Sequence, residues 1–100
     1  MNTLKRQGSY KTQYKLVSGF LRGDKYTALT ANTLLDTTRL TNNVIQCERD
    51  GLEIVHIEIP NNGKRPYMQY AIKETPENIK KAIELVSFYA IKAKIREQAA

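Results

Sequence analysis

The chain has 100 residues, of which 41% are hydrophobic and 26% are charged. This length and balance suit one globular domain with a modest core, and they exclude a wholly disordered chain or an enzyme with a separate cofactor domain. The formal net charge of +6 favours polyanionic partners, and nucleic acid is the commonest polyanion in a cytosol.

Few residues of the chain suit metal or redox chemistry. One cysteine, Cys47, has no partner for an intrachain disulfide, and one histidine, His56, completes no metal-binding cluster. No Ser/His/Asp set and no phosphate loop is present, so we expect no catalytic residues, no metal and no cofactor. Cys47 is interpreted as a small core residue. We also expect no membrane span and no signal peptide, and therefore a location in the cytoplasm.

Residues 1–8 are polar and lack a hydrophobic period, which predicts a flexible basic arm. Ser9 can cap a helix that runs to about Arg22 and ends at Gly23. Apolar residues within this helix recur at steps of three and four, so they share one face. This predicted inward face comprises Tyr10, Tyr14, Leu16, Val17, Phe20 and Leu21.

The stretch from Thr27 to Asp50 permits three interpretations. In the first, a helix covers residues 31–36 and a second helix begins at Thr41. In the second, a short helix covers residues 28–34 and a longer helix follows and ends at Asp50. In the third, Asp50 and the glycine after it form a hairpin turn, which the poor strand propensity of the preceding Asn-Asn and Glu-Arg pairs disfavours.

Capping residues and hydrophobic spacing favour the second interpretation. Thr27 can cap the short helix, and Asp36 or Thr37 can cap the longer one. Gly51 falls where a helix needs a left-handed residue after its last turn. The longer helix then has an inward stripe at i, i+4 and i+7, formed by Leu40, Val44 and Cys47.

From Leu52 the hydrophobic period changes to two, and a second alternating run follows after Pro66. The two runs flank a loop, Pro60–Pro66, that contains Asn62-Gly63, and this pattern predicts a β-hairpin. We expect the prolines at each end of the loop to limit the ladder.

A last helix is predicted from Thr75, which can cap it, to about Glu97. Its apolar residues form a heptad seam, Ile79, Ile83, Val86, Ala90 and Ala93, with a second stripe beside it. A single small domain can cover one such stripe, so we expect the other to bind a second copy of the chain. The residues assigned to this dimer contact are Ile83, Val86, Phe88, Ala90, Ile91 and Ile95.

The element order is helix, helix, turn, helix, hairpin and helix, which is that of a winged helix-turn-helix. We therefore predict a mainly α fold with a small β-hairpin, an α+β class, extended by a long C-terminal helix. The domain boundaries are a flexible basic arm over residues 1–8, the winged helix-turn-helix over 9–74, and the helix over 75–100.

In such a fold the second motif helix enters the major groove, and the tip of the hairpin contacts phosphate or the minor groove. If the stripe with Leu40 faces inward, the polar residues opposite can read base edges, while the basic hairpin tip supplies phosphate contacts. The predicted DNA-binding residues are Thr38, Arg39, Asn42, Asn43, Gln46, Arg49, Asn62, Lys64 and Arg65.

The stretch from Thr27 to Ile72 resembles a small winged helix-turn-helix family common in bacteriophages and prophages. The resemblance lies in four motifs: Thr27-Ala28-Leu29, Thr38-Arg39-Leu40, Glu48-Arg49-Asp50-Gly51 and Asn62-Gly63-Lys64-Arg65. It implies sequence-specific binding of double-stranded DNA in the bacterial cytoplasm or nucleoid, for transcriptional regulation or as an accessory in excision or replication. Asn43 departs from this pattern, because the family tends to have a basic residue there.

Two alternative functions stay open. In the first, the winged helix does not bind DNA and the C-terminal helix docks a host protein. In the second, the basic arm binds RNA or single-stranded nucleic acid.

Overall fold

The computed structural model describes residues 6–99, and the side chains of residues 6–94. Within that part of the chain, four helices surround one antiparallel hairpin, as the predicted α+β class with a long C-terminal helix requires. None of these helices is both long and apolar enough to cross a membrane. The elements are α1 (Tyr10–Leu21), α2 (Ala28–Leu34), α3 (Leu40–Arg49), β1 (Ile54–Asn61), β2 (Lys64–Ile72) and α4 (Pro76–Ala99).

Local capping marks the start of α1, the start of α2 and the end of α3. The Ser9 hydroxyl accepts the Thr12 backbone N–H at 3.1 Å at the start of α1. Thr27 and Thr30 form a reciprocal capping box at the start of α2. Gly51 has φ +107°, the left-handed conformation that ends α3. The second interpretation of this stretch is therefore confirmed, and a hairpin turn at residues 50–51 is wrong.

Helix α3 starts later than its predicted caps. Asp36 adopts φ +53° and does not cap, while the Thr37 hydroxyl accepts the Arg39 backbone N–H at 3.0 Å. The left-handed Asp36 and the bond to the Thr37 hydroxyl extend the turn as far as Arg39. Thr38 and Arg39 therefore precede the helix instead of lying in it.

The hairpin turn has two residues, Asn62 and Gly63, with φ +42° and +77°. Positive φ at both positions matches the right-handed twist of the two strands. The expectation that prolines limit the ladder is wrong: β1 and β2 run through Pro60 and Pro66, with a register irregularity at Pro60. Proline is tolerated there because an edge strand or a bulge leaves its missing N–H without consequence.

An isolated β-bridge joins the chain before α2 to the two-stranded sheet. Tyr26, between α1 and α2, bridges Tyr70 of β2, and its backbone N–H donates to the Tyr70 carbonyl at 2.9 Å. This pairing holds the segment between α1 and α2 against β2. The hairpin is thus anchored at its base and projects at its tip.

The core lies between α1, α3, the inner face of the hairpin and α4. Tyr14 was expected in this core but is 39% exposed, because the buried face of α1 is centred on Gln13, Leu16, Val17 and Phe20. The buried hydrophobic residues are Leu16, Val17, Phe20, Tyr26, Ala31, Leu35, Leu40, Val44, Cys47, Leu52, Ile54, Tyr70, Ile72, Ala82, Leu85 and Tyr89.

Helix α4 packs along α1, and the predicted heptad seam contributes only in part, through Ile79 and Val86. Ala82, Leu85 and Tyr89 are buried, whereas Ile83 of that seam is 56% exposed. The start of the helix is held by Asn78, whose amide accepts the Glu53 N–H at 2.8 Å and donates to the Glu53 and Lys73 carbonyls. This clamp turns Asn78 inward, so the buried face follows residues 78, 82, 85 and 89.

Candidate nucleic-acid interface

The polar residues of α3 divide between the protein interior and the solvent. Asn43 and Gln46 are 1% and 5% exposed, although both were predicted to contact DNA. Asn42, next to Asn43, is half-buried, and Arg49 is exposed. The buried arc of the helix is therefore wider on one side than the apolar stripe alone predicts.

Asn43 is tied to three parts of the chain. Its side-chain oxygen accepts the Gln13 amide at 3.0 Å and the Ser9 backbone N–H at 3.3 Å. Its amide nitrogen donates to the Arg39 carbonyl at 2.9 Å. Every polar atom of this side chain is used inside the protein, so Asn43 is corrected from a base-contacting residue to a structural one.

Gln46 is occupied in the same way. Its side-chain oxygen accepts the Gln7 backbone N–H at 2.8 Å, and its amide donates to Asp50 at 3.1 Å. Gln46 is therefore also corrected to a structural residue, and it fixes the segment that precedes α1.

The segment of residues 6–8, predicted to belong to a flexible arm, lies against α1 and α3. The Arg6 guanidinium binds Asp50 at 2.8 Å and Gln13 at 2.7 Å, and it lies 4.2 Å above the centre of the Tyr10 ring. Gly8 has φ +67°, and a side chain there would overlap the Asn43 amide. This segment covers the side of α3 that carries Asn43 and Gln46. Residues 1–5 of the predicted arm lie outside the described residues.

Asp50 is the centre of this polar network. Burial alone would raise its pKa, but hydrogen bonds from Arg6, Tyr89 and Gln46 together lower the pKa below its usual value. The Tyr89 hydroxyl donates to Asp50 at 2.7 Å, and burial together with the nearby charge raises the Tyr89 pKa. The carboxylate thereby joins the N-terminal segment, α3 and α4.

The outward, solvent-facing side of α3 carries a few polar and apolar side chains. Thr38, Arg39 and Arg49 are exposed, and Asn42 is half-buried. Thr41 and Ile45 also face solvent, with Ile45 37% exposed, and the sequence analysis did not select either of them. Thr41 lies at i−8 and Ile45 at i−4 from Arg49, two turns and one turn before it, and this spacing is the signal that would have found them.

The tip of the hairpin is exposed and basic. Asn62, Lys64 and Arg65 are all exposed, and the sequence contains no acidic residue between Glu58 and Glu74. Residues 59–73, which comprise the tip and the parts of the strands next to it, therefore carry only positive charges.

Helix α3 and the hairpin are in contact between the C-terminal end of α3 and β1. Glu48 near the end of α3 and His56 on β1 are in contact, with 2.9 Å between the carboxylate and the imidazole Nε2. The His56 ring also packs edge-on against Tyr70, with 5.0 Å between ring centres. This contact fixes the hairpin relative to the C-terminal end of α3.

The residues predicted to form a dimer contact fall on different sides of α4. Ile83 and Ile91 are 56% and 60% exposed. Val86 packs against the core of its own chain, and Ala90 is half-buried. Phe88 is 39% exposed and packs edge-on against Tyr10. The side chain of Ile95 lies outside the described residues.

The described residues include side chains of the kinds that bind metals and one thiol, that of Cys47. Their His, Cys, Asp and Glu side chains form no group of three that could hold a metal ion. Cys47 is a buried free thiol, as expected of a core residue, and burial raises its pKa to about 12.

Comparison with known proteins gives no relative: no family model, no curated protein and no solved structure matches the chain.

Proposed function

We propose that the protein binds double-stranded DNA, with the outward side of α3 in the major groove and the hairpin tip against the backbone. The observation that carries this proposal is that two exposed surfaces lie on α3 and on the hairpin, two elements joined by the contact between Glu48 and His56. One is the side of α3 with Arg39, Asn42 and Arg49, and the other is the acid-free tip with Lys64 and Arg65. The resemblance to phage and prophage winged helix proteins suggests a regulator, or an accessory factor in excision or replication.

The chemistry of the outward side suits base reading. Asparagine can bond to adenine through two hydrogen bonds, and arginine can do the same with guanine. The exposed Ile45 is an apolar group of the kind that contacts a thymine methyl. Because Asn43 and Gln46 are occupied inside the protein, the proposed contact surface comprises Thr38, Arg39, Thr41, Asn42, Ile45 and Arg49.

Selection from a randomised duplex library tests this proposal. The wild-type chain should enrich a motif, and its affinity should fall steeply with salt because bound phosphates release counterions. The double variant Lys64→Ala/Arg65→Ala should weaken all sequences alike and reduce the log–log salt slope by about 1.8, or about 0.9 for each lost phosphate contact.

A matched control is the double variant Lys80→Ala/Lys92→Ala, which removes two exposed charges from α4 and should leave the slope unchanged. If no duplex is enriched, or if both double variants lower the slope equally, the proposal fails.

A second candidate function is a protein contact through α4, which the exposed Ile83 and Ile91 favour. The partner is a second copy of the chain or a host protein that binds without DNA. Two exposed isoleucines eight residues apart are about 12 Å from each other along the helix axis and about 80° apart around it. The double variant Ile83→Ser/Ile91→Ser should lower the mass in sedimentation if the chain self-associates, and an unchanged mass contradicts the dimer.

A further inference from the structure

A polar groove lies at the N-terminal end of α3, between residues 6–9 and the turn that joins α2 to α3. Its volume is about 440 Å³, several times that of a single water molecule, for which about 30 Å³ is the share in the liquid. Arg6, Ser9 and Thr12 line one side, and Thr37 and Arg39 line the other. No acidic residue is among the described residues that form its wall.

The groove offers hydrogen-bond donors that its own residues do not use. The Thr12 hydroxyl accepts a bond from Ser9 at 2.9 Å, and the Thr37 hydroxyl accepts one from the Arg39 backbone. Within residues 6–94 neither hydroxyl proton has an acceptor. A hydroxyl that has accepted one bond still donates its own proton, so both can donate to an anion.

The charge of the groove resides on Arg39. Arg6 is paired with Asp50, whereas the exposed Arg39 guanidinium has no acidic partner among the described side chains. The start of α3 also lacks a side-chain cap, and its amide groups are the positive end of the helix. One uncompensated cation beside two hydroxyl donors is the donor set that a phosphate group prefers.

The geometry points to this groove as the binding site for one phosphate of the DNA backbone. This inference rests on the proposed duplex binding and gives Arg39 a separate role in it. Arg39 lies three residues before Asn42, so the phosphate would bind less than one turn from the base-contacting side chain. A contact with the DNA backbone at this end of α3 would set how deeply, and in which register, the helix lies in the major groove of the DNA.

Replacement of the arginine separates a phosphate contact from a base contact. Arg39→Ala should leave the enriched motif unchanged and lower the log–log salt slope by about 0.9, the value for one phosphate. Thr12→Val, which removes one hydroxyl donor, should weaken binding to every duplex alike. The control Arg22→Ala removes the same charge at the other end of α1 and should keep the wild-type slope.

Two outcomes of this experiment overturn the inference while duplex binding stands. One is an unchanged slope in Arg39→Ala, and the other is a motif that changes at one base pair, which would make Arg39 a base reader.

Titration with inorganic phosphate, followed by backbone amide NMR shifts, distinguishes the two proposals. Shifts at residues 9–12 and 39–42 in the wild type that are lost in Arg39→Ala support an anion-binding site in the groove. If those shifts occur but the wild type enriches no duplex, the site binds free phosphate and its assignment to DNA is overturned together with the proposed function. If the wild type shows no such shifts and enriches no duplex, both proposals fail.

Discussion

Asn42 and Asn43 are consecutive residues of α3 with the same side chain and different surroundings. Asn43 is 1% exposed and shares hydrogen bonds with Ser9, Gln13 and Arg39. Asn42 is half-buried, and within residues 6–94 its amide has no hydrogen-bond partner. One asparagine holds the fold together, and the other is available to a ligand.

The difference shows that a polar helix face is not by itself a binding face. Consecutive helix positions are about 100° apart, so a covering segment on one side can bury one residue and leave the next in solvent. Here residues 6–8 supply that cover, because the Arg6 side chain binds Asp50 and the Gln7 backbone N–H donates to the Gln46 side chain. The exposed surface of α3 is therefore narrower than the sequence predicts and is rotated toward Thr41 and Ile45.

The largest effect should come from replacement of the buried asparagine. Asn43→Ala leaves the Ser9 N–H without its acceptor and removes one of the two hydrogen bonds made by the Gln13 amide and by the Arg39 carbonyl, and we expect a loss of about 2–4 kcal/mol in the free energy of unfolding. The matched variant Asn42→Ala should lose under about 0.5 kcal/mol, the usual size for a solvent-facing substitution. Urea denaturation measures both, and equal losses would abolish the distinction between the two residues.

A smaller effect should follow from titration of Asp50. Its folded-state pKa is lowered, so its contribution to stability is present above the ordinary carboxyl pKa, near 3.8, and is lost as pH falls below it. We expect about 1 kcal/mol or less, because the Arg6 and Asp50 side chains are 25% and 19% exposed and solvent screens the pair.

Urea midpoints recorded between about pH 6 and pH 2 test this pH dependence. The acid-induced loss should be shallower in Asp50→Asn than in the wild type. The control Glu53→Gln, at the exposed pair with Lys73, should keep the wild-type profile. An Asp50→Asn profile parallel to that of the wild type would show that the network does not depend on this charge.

The sequence predicted the parts of the fold that local chemistry decides. Ser9, Thr27 and Gly51 mark helix ends through bonds or backbone angles within a few residues of themselves. The Asn62-Gly63 turn is equally local, because both residues tolerate positive φ. These signals sufficed for the element order and for the exposed hairpin tip.

The sequence did not predict contacts between residues far apart in the chain. Gln46 binds Gln7, and Tyr89 binds Asp50, across 39 residues in each case. Hydrophobic periodicity does not detect such polar contacts. It gives little weight as core residues to Asn78 and Tyr89, whose polar groups bond inside the protein. For that reason the buried face of α3 was predicted around the correct residues, Leu40, Val44 and Cys47, but too narrow, and the buried face of α4 was predicted correctly only at Ile79 and Val86.

The most direct test of the account is the DNA motif selected by Asn42→Ala beside that of the wild type. If the outward side of α3 reads bases, the variant should enrich a motif that is relaxed at one base pair, with a loss of discrimination of about 1–3 kcal/mol. Its stability and salt slope should stay those of the wild type. An identical motif from both proteins, or no motif from the wild type, would contradict the assignment of this side of α3 to DNA.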